Sequence, residues 1–200
     1  MKKNFSQKGF TLVELLIAMT IFVSFVGILI GSYASIIRGQ READEYRIMY
    51  SESRKIFETI VQELRDGMVD YKKYNANDTG NVIGGLDTLY VVSKDASMQS
   101  SIVYDKNDGV VSIKKGKFGQ DSTFEEFNLN LSDLVKVIDF KFYVSPSVDP
   151  YDDENVYKDK NQLHPKVTVY GKFVREFGNG KEYSMELQTT VSSRIYNQVY

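Results

Sequence analysis

The sequence predicts an α+β protein: one long N-terminal helix, apolar in its first half and amphipathic in its second, packed on a mostly antiparallel β-sheet. Three observations carry that prediction. The run Leu15 to Ile37 holds 23 residues without a charge, and a helix needs about 20 apolar residues to cross a bilayer core. From Arg38 to Arg65 apolar residues recur at three- and four-residue spacings between charged ones, the period of a helix with one buried face. From Gly67 onward the chain breaks into short β-rich runs separated by Gly, Asn and Asp, the pattern of strands and turns.

Residues 1–9 read as a hydrophilic leader. They carry Lys2, Lys3 and Lys8 and no acidic residue, and positive charge holds this end of a membrane helix in the cytoplasm. Everything after Ile37 would then face outward. Residues 10–37 read as the membrane segment. Within it Gly27, Gly31 and Ser35 recur every four residues; such a small-residue stripe lets helices approach closely, although glycine is also simply common in membrane helices. The uncharged run begins one residue after Glu14. A carboxylate inside an apolar flank is costly in lipid and marks a candidate functional site.

Residues 38–66 continue the same helix without a break. Tyr46, Met49, Tyr50, Ile56, Phe57, Ile60, Val61 and Leu64 form its apolar stripe. Asp66-Gly67 is expected to stop it, with Gly67 in the left-handed position just past the end. A single helix from Phe10 to Arg65 would be about 85 Å long at 1.5 Å per residue. No globular domain of this size buries such a helix, so its first half needs lipid or a larger assembly and its second half needs a sheet.

Residues 67–200 read as a β-rich head. Leu86 to Ser93 forms a strand. Ser101–Tyr104 and Val110–Ile113 flank a turn in which Gly109 supplies positive φ. Phe124, Phe127, Leu129 and Leu131 suggest a further strand, with part of 121–134 open to a helical alternative. Lys136 to Val144 alternates, with Val137, Asp139, Lys141 and Tyr143 on one face and Ile138, Phe140, Phe142 and Val144 on the other. Val167–Phe177 and Lys181–Tyr196 are expected to pair around Gly178-Asn179-Gly180.

The start of the apolar run differs from an ordinary secretory signal, whose small-residue cleavage site follows its apolar stretch. Here the small residue at a plausible junction is Gly9, on the cytoplasmic side. Lys8-Gly9-Phe10-Thr11-Leu12-Val13-Glu14 resembles the class III signal of type IV pilins and pseudopilins. The resemblance implies that a membrane-bound prepilin peptidase cuts after Gly9 and methylates the new amine of Phe10. It also implies that Glu14, five positions into the mature chain, helps dock each subunit into a helical filament. Lipid, an inner-membrane assembly platform and other major and minor pilins or pseudopilins are then the expected partners. The physical chemistry agrees: the new amine lies about one helical turn from Glu14, and an ion pair in an apolar setting is far stronger than on a wet surface. The alternative is a plain signal anchor whose Glu14 reaches the interface.

Further matches narrow the resemblance. Ile17 to Phe22, Pro165 to Tyr170 and Leu187 to Arg194 resemble minor pilins of the W type and minor pseudopilins of the J type. A mature chain of 200 − 9 = 191 residues is long for a major pseudopilin. In that class the subunit sits at the filament tip and primes assembly, in type II secretion or in a type IV pilus. Many pilins close a C-terminal loop with a disulfide, whereas this chain has no cysteine. That argues against a major type IVa pilin and leaves pseudopilins and Gram-positive pilins open. Many also carry a proline in the outer half of the helix; the first proline here is Pro146.

Other function classes find little support. The net charge is −2 and no basic run follows the leader, so no nucleic-acid groove is expected. Fourteen Tyr and twelve Phe read as strand and core residues rather than a stacking platform. Asp149, Asp152, Asp153, Glu154 and Asp159 make an oxygen-rich stretch that is either a solvated acidic loop or a candidate Ca²⁺ site. Its spacing matches no EF-hand loop. The sole histidine, His164, reads as a residue at the start of a strand. With no cysteine, no nucleophile motif and no nucleotide-binding glycine loop, no enzymatic activity is expected. The reading from a different class is a signal-anchored surface domain, of adhesin or receptor type, that never polymerises.

Overall fold

The computed structural model describes residues 9–74, 85–120, 124–130, 135–147, 149–150, 164–176 and 180–192. The chain divides into two compact units, residues 1–46 and 47–200. One helix, α1 (Leu12–Asp66), contributes to both.

In the first unit the helix is exposed almost throughout, and it is uncharged from Leu15 to Ile37. It is long and apolar enough to cross a membrane, and none of its most apolar window is buried within the chain. Two of its hydroxyls are satisfied by its own backbone. Thr20 Oγ1 donates to the carbonyls of Leu16 (3.1 Å) and Ile17 (2.8 Å), and Ser24 Oγ donates to that of Thr20 (2.8 Å). Such bonds remove the cost of placing a hydroxyl in a medium without water.

Among its described residues the second unit holds the rest of α1 and eight strands: β1 (Gly67–Val69), β2 (Thr88–Ser93), β3 (Met98–Asp105), β4 (Val110–Lys117), β5 (Glu125–Asn128), β6 (Lys136–Ser145), β7 (Lys166–Glu176) and β8 (Glu182–Ser192). All pairings are antiparallel, as expected. The strands sort into two sheets, β1-β2-β3-β4-β5 and β6-β7-β8, where the sequence suggested one. An isolated bridge ties them: Leu86 and Phe142 exchange N–H···O bonds of 2.8 and 2.9 Å.

Both predicted hairpins form. β3 and β4 pair around Gly109 (φ 63°), and β7 and β8 keep an unbroken register from Lys166–Ser192 to Glu176–Glu182, with Gly180 at φ 73°. The stretch around Phe127 is a four-residue strand on the β4 edge. Phe127 is exposed there, while Leu129, beyond the strand, packs on the core and donates to the Val111 carbonyl (2.8 Å).

β6 departs from its predicted alternation. Its register steps from Val137–Phe173 to Asp139–Lys172, so Ile138 is an extra residue without a cross-strand partner. This bulge reverses the faces of the first two positions: Val137 turns into the core and Ile138 is 49% exposed. The hydroxyl of Tyr104 donates to the Val137 carbonyl (3.3 Å), and a Cβ at Gly109 would lie 2.8 Å from that same oxygen.

Gly67 is also corrected. It is the first residue of β1 rather than a left-handed cap. A Cβ there would lie 2.8 Å from the Val92 carbonyl oxygen and 3.0 Å from that of Glu63. Close passage of backbone, not positive φ, is what demands glycine at this position.

Met49, Ile56, Phe57, Ile60 and Leu64 of α1 pack on Leu89, Val91, Ile102, Val111 and Ile113 of the larger sheet and on Phe140, Phe142, Val169 and Phe173 of the smaller. Each such side chain, fully buried, is worth about 1.5–3 kcal/mol. The Phe57 ring stands 5.7 Å from Phe140 and 6.1 Å from Phe173. Ser53, buried in the same face, donates to the Met49 carbonyl (2.8 Å). Tyr46 and Tyr50, counted in the apolar stripe, are instead exposed. Glu63 pairs with Lys115 of β4, a second tie between helix and sheet.

After β1 a 3-10 turn (Tyr71–Lys73) is capped by Asp70, whose carboxylate accepts from Lys72 N–H (3.2 Å). Tyr74 then clips this turn to β2: its hydroxyl accepts from Tyr90 N–H (2.9 Å) and donates to the Thr88 carbonyl (3.3 Å). Burial raises the Tyr74 pKa above its ordinary value.

Candidate processing and docking site

The sequence places its candidate chemistry at the N-terminal end of α1. The first helical residue is Leu12, so Thr11 is the N-cap and Glu14 the third helical residue. Thr-x-x-Glu at those positions is a capping box, and the structure shows each of its bonds. Thr11 N–H donates to Glu14 Oε2 (2.9 Å), Thr11 Oγ1 donates to the same oxygen (3.0 Å), and Glu14 N–H donates to Thr11 Oγ1 (3.3 Å). The first intrahelical bond runs from Leu15 N–H to the Thr11 carbonyl (3.2 Å).

Two consequences follow for the junction. Gly9 and Phe10 lie outside the helix and are exposed, Phe10 at 88%. Glu14 is held with its carboxylate directed back along the chain, towards the residue whose amine a cut after Gly9 would create. Both capping bonds from Thr11 converge on Oε2. The sequence reading singled out Glu14 but missed Thr11 as its partner, although the capping-box pattern was present in Thr11-Leu12-Val13-Glu14.

The stripe of Gly27, Gly31 and Ser35 lies on exposed helix. A Cβ at either glycine would meet nothing within 4 Å of this chain. Among the described residues no contact explains either glycine.

Asp149 is half-buried, while Asp152, Asp153, Glu154 and Asp159 lie outside the described residues. Among the described residues no three His, Cys, Asp or Glu side chains are grouped to hold a metal ion. His164 is half-buried beside Pro165, just before β7.

A membrane-capable helix with a capped, exposed glycine–aromatic junction precedes an antiparallel β head. Residues 4–30 match a family model described as the prokaryotic N-terminal methylation motif. The match spans 27 of 200 residues, and no curated protein and no solved structure matches the chain. The motif is the class III prepilin signal carried by type IV pilins and pseudopilins. Proteins with this motif are structural subunits processed by prepilin peptidase and anchored in the membrane by their N-terminal helix.

Proposed function

We propose that this chain is a minor pilin or minor pseudopilin that helps initiate or cap a filament of a type II secretion or type IV pilus system. The observation that carries the reading is the exposed Gly9–Phe10 junction set immediately before a capped helix whose third residue is Glu14. Prepilin peptidase cuts after Gly9 and methylates the amine of Phe10. The subunit then leaves the bilayer through its apolar helix, and Glu14 meets the amine of Phe10 on its own or a neighbouring subunit. Residues 10–37 join the filament core, where Gly27, Gly31 and Ser35 allow close approach of neighbouring helices. The head presents a surface to other pilins.

The minor rather than major assignment is supported by the absence of cysteine and by the resemblance of Pro165 to Tyr170 and Leu187 to Arg194. It is tested by quantitative mass spectrometry of sheared filaments, together with deletion of the gene. The chain is expected as a small minority of subunits, and its loss is expected to abolish most filaments. Abundance equal to the main subunit would make it a major pilin. A processed chain at the cell surface but absent from filaments would favour a non-polymerising binding domain.

A further inference from the structure

The capping box does more than aim Glu14. Continuing α1 one turn upstream would require the Glu14 N–H to bond the Phe10 carbonyl and the Thr11 N–H to bond that of Gln7, the i to i−4 pattern of a helix. Both donors are already taken, by Thr11 Oγ1 and by the Glu14 carboxylate. Gly9 is itself a poor helix former, about 1 kcal/mol worse than alanine. The backbone at Gly9, Phe10 and Thr11 is accordingly non-helical.

A peptidase must reach both faces of the bond it cuts, and a peptide wound into a helix hides its carbonyl in the i to i−4 ladder. We propose that Thr11 is a positioning residue for processing. By ending the helix at Leu12 it keeps the Gly9–Phe10 peptide outside the helix, in the conformation that prepilin peptidase accepts. The proposal rests on the reading that cleavage occurs after Gly9; the methylation motif over residues 4–30 places processing in this segment independently of the hydrogen bonds. Thr11 touches neither the scissile bond nor the enzyme in this role. It acts through the population of the cleavable conformer, so its loss raises KM and leaves kcat unchanged.

The test uses the full-length chain in detergent with purified prepilin peptidase, and follows cleavage by mass. Thr11→Val keeps the volume and removes the cap; Thr11→Ser and Thr11→Asn both restore a capping side chain. The expected result is a KM raised by at most about fivefold for Thr11→Val at unchanged kcat, the full population change that loss of one N-cap represents. Thr11→Ser and Thr11→Asn should fall within about twofold of wild type, since rank as a cap decides the order. Thr11→Val cleaved with wild-type KM would overturn the proposal. So would Thr11→Asn failing beside a normal Thr11→Ser, because the enzyme would then be reading the threonine side chain directly. A wild-type chain left uncut would overturn instead the processing reading beneath it.

Discussion

Glu14→Gln is expected to leave cleavage after Gly9 intact and to lower incorporation into filaments by on the order of a hundredfold, the scale on which losing one partner of a desolvated charge pair weakens an interface. The substitution separates the two roles of this residue. Glutamine is accepted at the third helical position of a capping box, so the carbonyl oxygen of the new amide can take over the bonds from Thr11 N–H (2.9 Å) and Thr11 Oγ1 (3.0 Å). What disappears is the negative charge that the Phe10 amine would meet in an apolar filament core. Comparing processed subunit in membranes with subunit in sheared filaments reads the two roles apart. Glu14→Gln incorporated at the wild-type level would show that Glu14 serves only as a cap. Glu14→Ala, which removes cap and charge together, should lose incorporation and also slow processing.

Phe140→Ala is expected to cost the head about 3–5 kcal/mol, the range for deleting a fully buried aromatic ring. Phe140 is 0% exposed and stands where the helix and both sheets meet. Its ring lies 5.7 Å from Phe57 of α1, 5.4 Å from Phe142, 6.4 Å from Phe173 and 6.2 Å from Tyr104 of β3. It also covers Gly171, where a Cβ would lie 2.8 Å from the ring. Collapse into the vacated space is blocked by the β6–β7 backbone beneath, so most of the cavity should persist. Denaturant unfolding of the purified chain in detergent, followed by tyrosine fluorescence, measures the loss. A cost below about 1 kcal/mol would mean that the helix docks on the sheets through other residues.

The long helix was legible because two different signals, an uncharged run and a 3.6-residue period, abut without a breaker between them. The hairpins at Gly109 and Gly180 were legible because their turns demand positive φ, which glycine advertises. Other features depend on contacts that no local pattern records. Gly67 resembled a helix cap by its position after Asp66, and only the approach of Val92 and Glu63 shows why it is glycine. The bulge at Ile138 cannot be read from an alternating run, because one inserted residue leaves a pattern that still alternates on either side of it. The division into two sheets depends on register between distant strands; Leu86 and Phe142 are 56 positions apart in the chain. Tyr46 and Tyr50 fit the helical period yet lie exposed, since periodicity marks a face without saying how far its cover extends. At the candidate site the glycine–aromatic junction and Glu14 were visible at once. Thr11 was not singled out, because a threonine beside an apolar run attracts attention only when the residue three positions on is read with it.

The measurement that tests the central claim most directly is the mass of the mature N-terminus, taken from cells with and without prepilin peptidase. The expected chain begins at N-methylated Phe10 and reverts to an intact leader when the peptidase is absent. A chain that keeps Met1 in both, or one cut beyond Ile30, would contradict it and leave Glu14 as no more than the cap of an anchoring helix.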